Sequence, residues 1–294
     1  MRVAITGASG FVGRALSQAL KEAGHTPVAV RRDASGELRW SVERGFDPPE
    51  ALSGYDAVVH LAGENIAGGR WTDARKQSIR ASRVEGTRRV ADALRIADPR
   101  PSVFISMSAV GYYGARGSSQ LDENSEPGEG FLADVCGAWE AEAKAASSLE
   151  DLRVVRLRLG TVLGDGGALA KMLPAFKMGV GGRLGAGDQY MSWIHLDDVV
   201  RGILHVLTHE ECSGAVNLTA PEPATNAAFT AALGKALHRP TFLPVPKFAL
   251  RAAFGEMAEH LLLTGQRVVP KRLLETGFEF QHPDLGAALS AALR

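Results

Sequence analysis

A glycine-rich turn near the start of the chain constrains the fold more than any other feature of the sequence. Residues 2–6 (RVAIT) predict a buried strand, and residues 11–23 predict a helix. Between them stand Gly7, Gly10 and Gly13, spaced three residues apart. Glycine turns occur in other α/β proteins too, but a strand, this turn and a helix together place free N–H groups where a diphosphate can bind. The opening residues therefore favour a dinucleotide-binding domain.

The rest of the first half alternates short apolar runs with helical patterns. Strands are predicted at 27–30, 57–61, 103–106 and 153–159, and helices at 72–97 and 133–146. Such alternation is typical of parallel strands joined by helical crossovers. We therefore expect an α/β fold built on a doubly wound Rossmann-type parallel sheet.

The second half of the chain lacks the regular alternation of strands and helices. Residues 161–187 are rich in glycine and enclose a short predicted helix, with its apolar face at Leu169, Met172, Leu173 and Phe176. Further predicted elements are a helix at 197–207, a strand at 215–218 and a helix with the stripe Phe229, Leu233 and Leu237. We expect residues 1–220 to form the dinucleotide-binding domain and residues 221–294 a small C-terminal α/β lobe. The 161–187 insertion contributes to the substrate lobe in this interpretation.

The charge balance argues against nucleic acid as a partner. Lys and Arg number 33 and Asp and Glu also number 33, so no global positive field attracts a phosphate backbone. No apolar run approaches the roughly 18 residues of a membrane span, and no secretory signal is recognised. Two cysteines, Cys136 and Cys212, are too few for a disulfide framework. We expect a cytoplasmic protein that acts on a small molecule.

One apolar, proline-interrupted stretch bears on self-association. Residues 242–263 could bury against the main sheet or against a second copy of the chain. The sequence leaves both open, and a homodimer with them.

The end of the second predicted strand indicates which nicotinamide cofactor fits. An acidic residue there would bind the ribose hydroxyls of NAD, but the chain reads Arg31-Arg32-Asp33. Guanidinium groups suit a 2′-phosphate, because they donate charge-assisted hydrogen bonds to its oxygens. We therefore expect NADP. Two alternatives stay open: the arginines could be solvated surface charges, and Asp33 could accept from a ribose.

These motifs resemble those of the extended short-chain dehydrogenase/reductases. The G-x-x-G-x-x-G spacing after Thr6 is one such motif, and the run 56–63 (DAVVHLAG) is another. A third is the run 106–114 (SMSAVGYYG), which is similar to the family's Ser-Ser-x-x-Val-Tyr-Gly stretch. The resemblance implies that Ser108 is the catalytic serine, which orients the substrate oxygen.

The family's Tyr-x-x-x-Lys pair is absent. Cys136 and Glu140 occupy its two places, and a carboxylate raises the pKa of a neighbouring acid where a lysine would lower it. Tyr112 or Tyr113 could supply the missing hydroxyl, with Arg116 as the nearby cation. The alternative is that the two tyrosines pack or gate the mouth of the nicotinamide site.

The departure narrows the resemblance to an atypical branch, the epimerase family proteins, in which an epimerase/dehydratase-like domain precedes a small domain of unknown function. Matching stretches include residues 61–66, 139–143, 158–164 and 193–198. The resemblance implies cofactor contacts at Gly7, Ser9, Gly10, Phe11, Val12, Gly13, Arg31, Arg32, Leu61, Ala62, Glu64, Arg83 and Gly160. For Arg83 a solvated helix surface is an equal alternative.

The remaining histidines do not predict a metal site. His205 and His209 stand near Cys212, but no further ligand pair accompanies them, so a polar helix end is the better interpretation. His195 is expected to be a core or helix-capping residue.

The sequence leaves two functions open. One is an NADP-dependent oxidoreductase or epimerase-like enzyme that acts on a carbonyl or hydroxyl substrate such as a nucleotide sugar. The other is a non-catalytic NADP(H) sensor that regulates a partner.

Overall fold

The computed structural model describes residues 1–32 and 37–294, so Asp33 lies outside the described residues. The strands are β1 (Arg2–Thr6), β2 (Thr26–Arg31), β3 (Leu38–Ser41), β4 (Gly45–Asp47), β5 (Ala57–His60), β6 (Val103–Ala109), β7 (Gln120–Leu121), β8 (Arg153–Leu159), β9 (Thr161–Leu163), β10 (Tyr190–Met191), β11 (Trp193–His195), β12 (Gly214–Leu218), β13 (Ala224–Thr225) and β14 (Arg267–Val268). The helices are α1 (Phe11–Glu22), α2 (Asp73–Ile96), α3 (Phe131–Ala145), α4 (Gly167–Lys177), α5 (Leu196–Thr208), α6 (Asn226–Leu237), α7 (Lys247–Phe254), α8 (Lys271–Glu275) and α9 (Leu285–Ala292).

A single large sheet organises the molecule. Within the described residues, eight strands follow the order β12-β8-β6-β5-β1-β2-β3-β4. Neighbouring strands are parallel, except that β3 and β4 are antiparallel. From β1 the chain first builds outwards through β2, and it then returns to place β5 on the other side. The predicted doubly wound parallel sheet is thereby confirmed.

The two faces of the sheet are covered by separate cores. Val3 and Ile5 of β1 pack with Leu16 of α1 on one face. Ala4 of the same strand packs with Leu94 of α2 on the other. A strand buried on both sides explains why RVAIT is a continuous apolar run and not an alternating one.

A third core joins the glycine-rich insertion to the C-terminal residues. Leu169 and Phe176 of α4 share a buried cluster with Phe229 of α6 and Leu289 of α9. Trp193 of β11 lies in the same cluster. The helical stripes predicted for α4 and α6 therefore do face a core, and segments on both sides of residue 220 build it.

In the large sheet, β3 and β4 were not predicted, and β6 ends later than predicted. β3 and β4 are only four and three residues long, which is too short for a clear period, although their Trp40 and Phe46 are buried. β6 continues three residues past its predicted end. Ser108 is therefore a strand residue, paired in register with Arg158 of β8 and not part of a loop.

The stretch 242–263 divides between the interior and the surface. Leu250 and Met257 are buried, whereas Phe242, Leu243 and Phe248 are mostly exposed. Across residues 1–32 and 37–294, every helix is too short or too polar to cross a membrane.

Candidate functional site

Thr6 connects the ends of β1 and β5. At this point of the sheet the strand order reverses, because β2 lies on one side of β1 and β5 on the other. The Oγ1 of Thr6 accepts hydrogen bonds from the backbone N–H groups of Leu61 and Ala62, both at 3.2 Å. It also lies 2.7 Å from Nδ1 of His60, whose pKa burial lowers to about 3. In open α/β sheets, ligands bind at the carboxyl ends of the strands at such a switch point.

The three glycines of the first turn are required by close backbone contacts. A Cβ on Gly13 would lie 2.2 Å from the carbonyl oxygen of Gly7 and 2.7 Å from Cα of Ala8. A Cβ on Gly7, which has a φ of +70°, would lie 2.9 Å from the backbone nitrogen of Ala62. A Cβ on Gly10 would lie 3.1 Å from the Gly7 oxygen. The turn thus folds back on the start of α1 with no space for side chains.

Helix α1 begins without a side-chain cap or an acidic residue in its first turn. Its N-cap is Gly10, whose carbonyl accepts from the N–H of Arg14 at 3.0 Å. The N–H groups of Phe11, Val12 and Gly13 lie in the first turn, before the first N–H that has a carbonyl partner within the helix. They therefore point out of the helix end without a helical partner. Free N–H groups and the positive end of the helix dipole favour an anion here.

The ring of Phe11 is packed against a second glycine segment. Built Cβ atoms on Gly164 and Gly166 would lie 2.9 and 2.7 Å from atoms of that ring, and one on Gly167 would lie 3.4 Å away. The loop that enters α4 therefore rests on the first turn of α1. Sequence reasoning noted these glycines as loop residues only, and nothing local in the sequence marks Phe11 as their partner.

Arg31 and Arg32 lie at the end of β2, directly beside β1. Both side chains are exposed. Since β1 and β2 are parallel neighbours with Thr6 opposite Val30, the two arginines share an edge of the sheet with the glycine turn. Ser9, in the turn itself, is also exposed, and its carbonyl accepts from Arg14 at 2.7 Å.

Glu64 and Arg83 lie beyond the end of β5 and are held by protein groups. The Glu64 carboxylate pairs with Arg75 at 2.9 Å. The Arg83 guanidinium donates to the carbonyl of Ile79 at 3.1 Å and lies 5.3 Å from the ring centre of Trp139. Burial lowers the pKa of Arg83. Arg83 is therefore not a solvated helix residue, although its role toward a cofactor remains a prediction.

Gly160 stands where β8 ends and the chain turns into β9. A Cβ there would lie 2.6 Å from the carbonyl oxygen of Ser192, and its own N–H donates to the carbonyl of Leu218 at 3.1 Å. The described contacts thus make it a backbone junction between the sheet and β11.

Glu140, which stands at the lysine place of the Tyr-x-x-x-Lys pair, forms a buried ion pair. Glu140 of α3 accepts from Nε and a terminal nitrogen of Arg158 at 2.8 and 2.9 Å, and both side chains are 4% exposed. The Ser108 hydroxyl donates to the same carboxylate at 2.8 Å. Burial alone would lower the pKa of Arg158, but its bonds to Glu140 and the Glu140 charge raise it. The Arg158 guanidinium therefore stays positively charged.

Tyr113 extends this network into the core. Its hydroxyl accepts from Arg158 at 2.8 Å and donates to the side-chain oxygen of Asn217 at 2.7 Å. Burial raises the pKa of Tyr113 to about 12 in spite of the Arg158 charge. Asn217 in turn donates its backbone N–H to the buried Glu123 at 3.0 Å. With its hydroxyl committed on both sides, Tyr113 is a structural link in this geometry.

Tyr112 is placed differently from its neighbour. The centre of its ring lies 3.5 Å from the Arg158 guanidinium carbon. The ring meets that of Tyr113 edge-on, with 5.4 Å between the ring centres. Arg116 does not serve as the nearby cation, because its guanidinium donates to the backbone carbonyls of Tyr113, Glu126 and Pro127. Arg158 faces both rings instead, and sequence reasoning missed it.

Cys136, at the family's tyrosine position, is buried. Burial, with the Glu140 charge, raises the pKa of its thiol to about 12, so the group stays protonated.

His195 caps α5 as expected, since its Nδ1 accepts from the Asp197 N–H at 3.2 Å. His205 and His209 stack at 3.7 Å between ring centres near the end of α5.

Comparisons with known proteins cover nearly the whole chain. Residues 3–219 match the model of the NAD dependent epimerase/dehydratase family, and residues 245–292 match a domain of unknown function (DUF1731). An "Epimerase family protein" from Mycobacterium bovis is 48% identical over 99% of this chain and 97% of that protein.

Two solved structures have the same fold as this chain. The human epimerase family protein SDR39U1, crystallised with NADPH, superposes with a TM-score of 0.91 at 36% identity, covering 99% of both chains. A nucleoside-diphosphate sugar epimerase from Corynebacterium glutamicum has a TM-score of 0.81 at 35% identity over the whole of this chain and 58% of that one. The fold, the glycine turn and these full-length matches together place the chain in the NAD dependent epimerase/dehydratase family, among the epimerase family proteins.

Proposed function

We propose that this protein binds NADP(H) at the edge of the sheet where β1 and β5 part. The observation that carries the proposal is the turn of Gly7, Gly10 and Gly13, which packs without side chains against an uncapped helix start. The human relative crystallised with NADPH supports it, because the similarity extends over 99% of both chains.

The described residues fit the cofactor at both of its phosphate groups. The N–H groups at the start of α1 would hold the diphosphate, since they carry partial positive charge and lack helical partners. Arg31 and Arg32 would hold the 2′-phosphate, because they are exposed on the adjacent strand end. Leu61 and Ala62, fixed by Thr6, would line the adenosine side of the same cleft.

We further propose that the protein acts on a carbonyl or hydroxyl substrate, with nucleotide sugars as the first class to test. When bound, the nicotinamide ring supplies hydride transfer. Because the Ser108 hydroxyl donates its proton to Glu140, Ser108 would orient the substrate oxygen by accepting a hydrogen bond from a substrate hydroxyl. Tyr112 would exchange the proton, since no described residue holds its hydroxyl. The related nucleoside-diphosphate sugar epimerase at 35% identity supports this substrate class.

The first test is a binding measurement on a loop variant. We expect Gly13→Ala to raise the dissociation constant for NADPH at least 30-fold, or about 2 kcal/mol, because its methyl group would displace the turn. The constant is measured by titration calorimetry, with circular dichroism to check folding. The control is Gly286→Ala in α9, where the added Cβ would meet only one side-chain oxygen of Asp284, at 3.3 Å, and no backbone atom. Equal effects of the two variants would refute the assigned diphosphate site.

A second function, an NADP(H) sensor without turnover, is favoured by one observation. The Tyr and Lys places of the family hold Cys136 and Glu140, and both side chains are buried in protein contacts. A sensor would bind the cofactor tightly and convert nothing.

Turnover separates the two functions. We expect the protein with NADPH to convert at least one member of a panel of carbonyl compounds and nucleoside-diphosphate sugars. NADPH absorbance reports net reduction, and nuclear magnetic resonance of the sugar reports epimerisation. Ser108→Ala and Tyr112→Phe should each lower the rate about 100-fold, whereas Ser102→Ala, just before β6, should not. Tight NADPH binding without conversion of any panel member would favour the sensor.

A further inference from the structure

Three side chains converge at the start of α5, away from the glycine turn and the Glu140 network. His195 and Asp197 come from the junction of β11 and α5, and His282 comes from the segment before α9. Nδ1 of His195 lies 3.4 Å from the Asp197 carboxylate oxygen Oδ2, and Nε2 of His282 lies 3.2 Å from that same atom. The ligand atoms of the three side chains all lie within 4.8 Å of one another.

We propose that His195, Asp197 and His282 bind a divalent transition-metal cation of the zinc class. Two imidazole nitrogens and one carboxylate oxygen form a donor set that zinc accepts. Bonds of about 2.0–2.2 Å to a tetrahedral ion place the donors about 3.3–3.6 Å apart. Two of the donor separations, 3.2 and 3.4 Å, are already near that range.

The chemical state of His195 suits a ligand. Its Nδ1 accepts a long hydrogen bond from the Asp197 N–H at 3.2 Å, so the proton sits on Nε2. On metal binding, the single lone pair of Nδ1 would pass from that N–H to the cation. Nε2 is buried and has no partner among the described residues, so the ring is not committed to another hydrogen bond.

The third ligand is held in place by its backbone. The buried Asp198 accepts the N–H groups of Gln281 and His282 at 2.7 and 2.8 Å. The rings of His195 and His282 then meet with their centres 4.0 Å apart. Groups that orient ligands in this way preorganise a metal site. The Asp197 side chain is 55% exposed, which leaves a fourth coordination position open to water.

The alternative is a purely hydrogen-bonded cap, and zinc titration separates the two. After dialysis against a chelator, the protein is titrated with ZnCl2 in a calorimeter. We expect one zinc ion per chain with a dissociation constant in the micromolar range, and a higher melting temperature with zinc. His282→Ala and Asp197→Asn should each weaken binding at least tenfold and abolish the shift in melting temperature.

A matched control is His209→Ala, which removes one ring of the other histidine pair. Among the described residues this pair belongs to no group of three possible metal ligands, so the variant should bind zinc as the natural chain does. A His282→Gln variant guards against misfolding. Failure of the natural chain to bind zinc, or binding that His282→Ala and His282→Gln leave unchanged, would overturn the proposal. Neither outcome touches the NADP(H) proposal, because the two sites share no residue.

Discussion

Replacing Glu140 by alanine should lower the free energy of unfolding by about 3–5 kcal/mol, because the change leaves the buried Arg158 guanidinium without its counter-charge. The Ser108 hydroxyl would lose its acceptor in the same step. Arg156, 3.3 Å from the same carboxylate, would add a second uncompensated positive charge. Urea denaturation followed by circular dichroism measures the loss.

The matched control is Glu142→Ala on the same helix. Glu142 pairs with the half-exposed Arg88 at the surface, where an ion pair contributes less than about 1 kcal/mol. If the Glu140 variant lost no more stability than the Glu142 variant, the buried pair would not stabilise the fold. A lysine at position 140 should be worse than alanine, because it would face Arg156 and Arg158, so the family's usual residue cannot be restored alone.

The second large effect concerns the choice of cofactor. Arg31→Asp combined with Arg32→Ala should raise the dissociation constant for NADPH about 1,000-fold while changing that for NADH less than threefold. Two charge-assisted hydrogen bonds to a 2′-phosphate contribute about 1.5–3 kcal/mol each, and the new carboxylate repels the phosphate. Calorimetric titration with both nucleotides gives the two constants.

The control for this variant is Arg95→Asp, which reverses an exposed charge near the end of α2. It should leave both dissociation constants within a factor of two. Loss of NADH binding to the same extent as NADPH binding would mean that the arginines support the strand and not the phosphate. The 2′-phosphate assignment would then be wrong.

The features that sequence reasoning predicted are local ones. Gly7, Gly10 and Gly13 stand within seven residues, so their spacing alone carries the turn. The buried strands β1 and β5 are centred on continuous apolar runs, which mark a sheet covered on both faces. These local patterns were sufficient for the fold and for the place of the glycine turn.

The features it missed depend on contacts between distant segments. Glu140 could be recognised as unusual, but its partner Arg158 is defined by the pairing of β6 with β8 and by the position of α3. His195 and His282 are separated by most of the C-terminal lobe. No periodicity links such residues, so only the folded chain brings them together.

The third core has a consequence for how this molecule can change over evolutionary time. Leu169 and Phe176 precede the last strand of the large sheet, yet they are sheltered by Phe229 and Leu289, which follow it. A break in the chain near residue 220 would expose the apolar face of α4 to water in one fragment. It would leave a cavity beside Phe229 and Leu289 in the other. The two portions therefore depend on each other for the burial of these side chains, and we expect a change that separates them to be disfavoured.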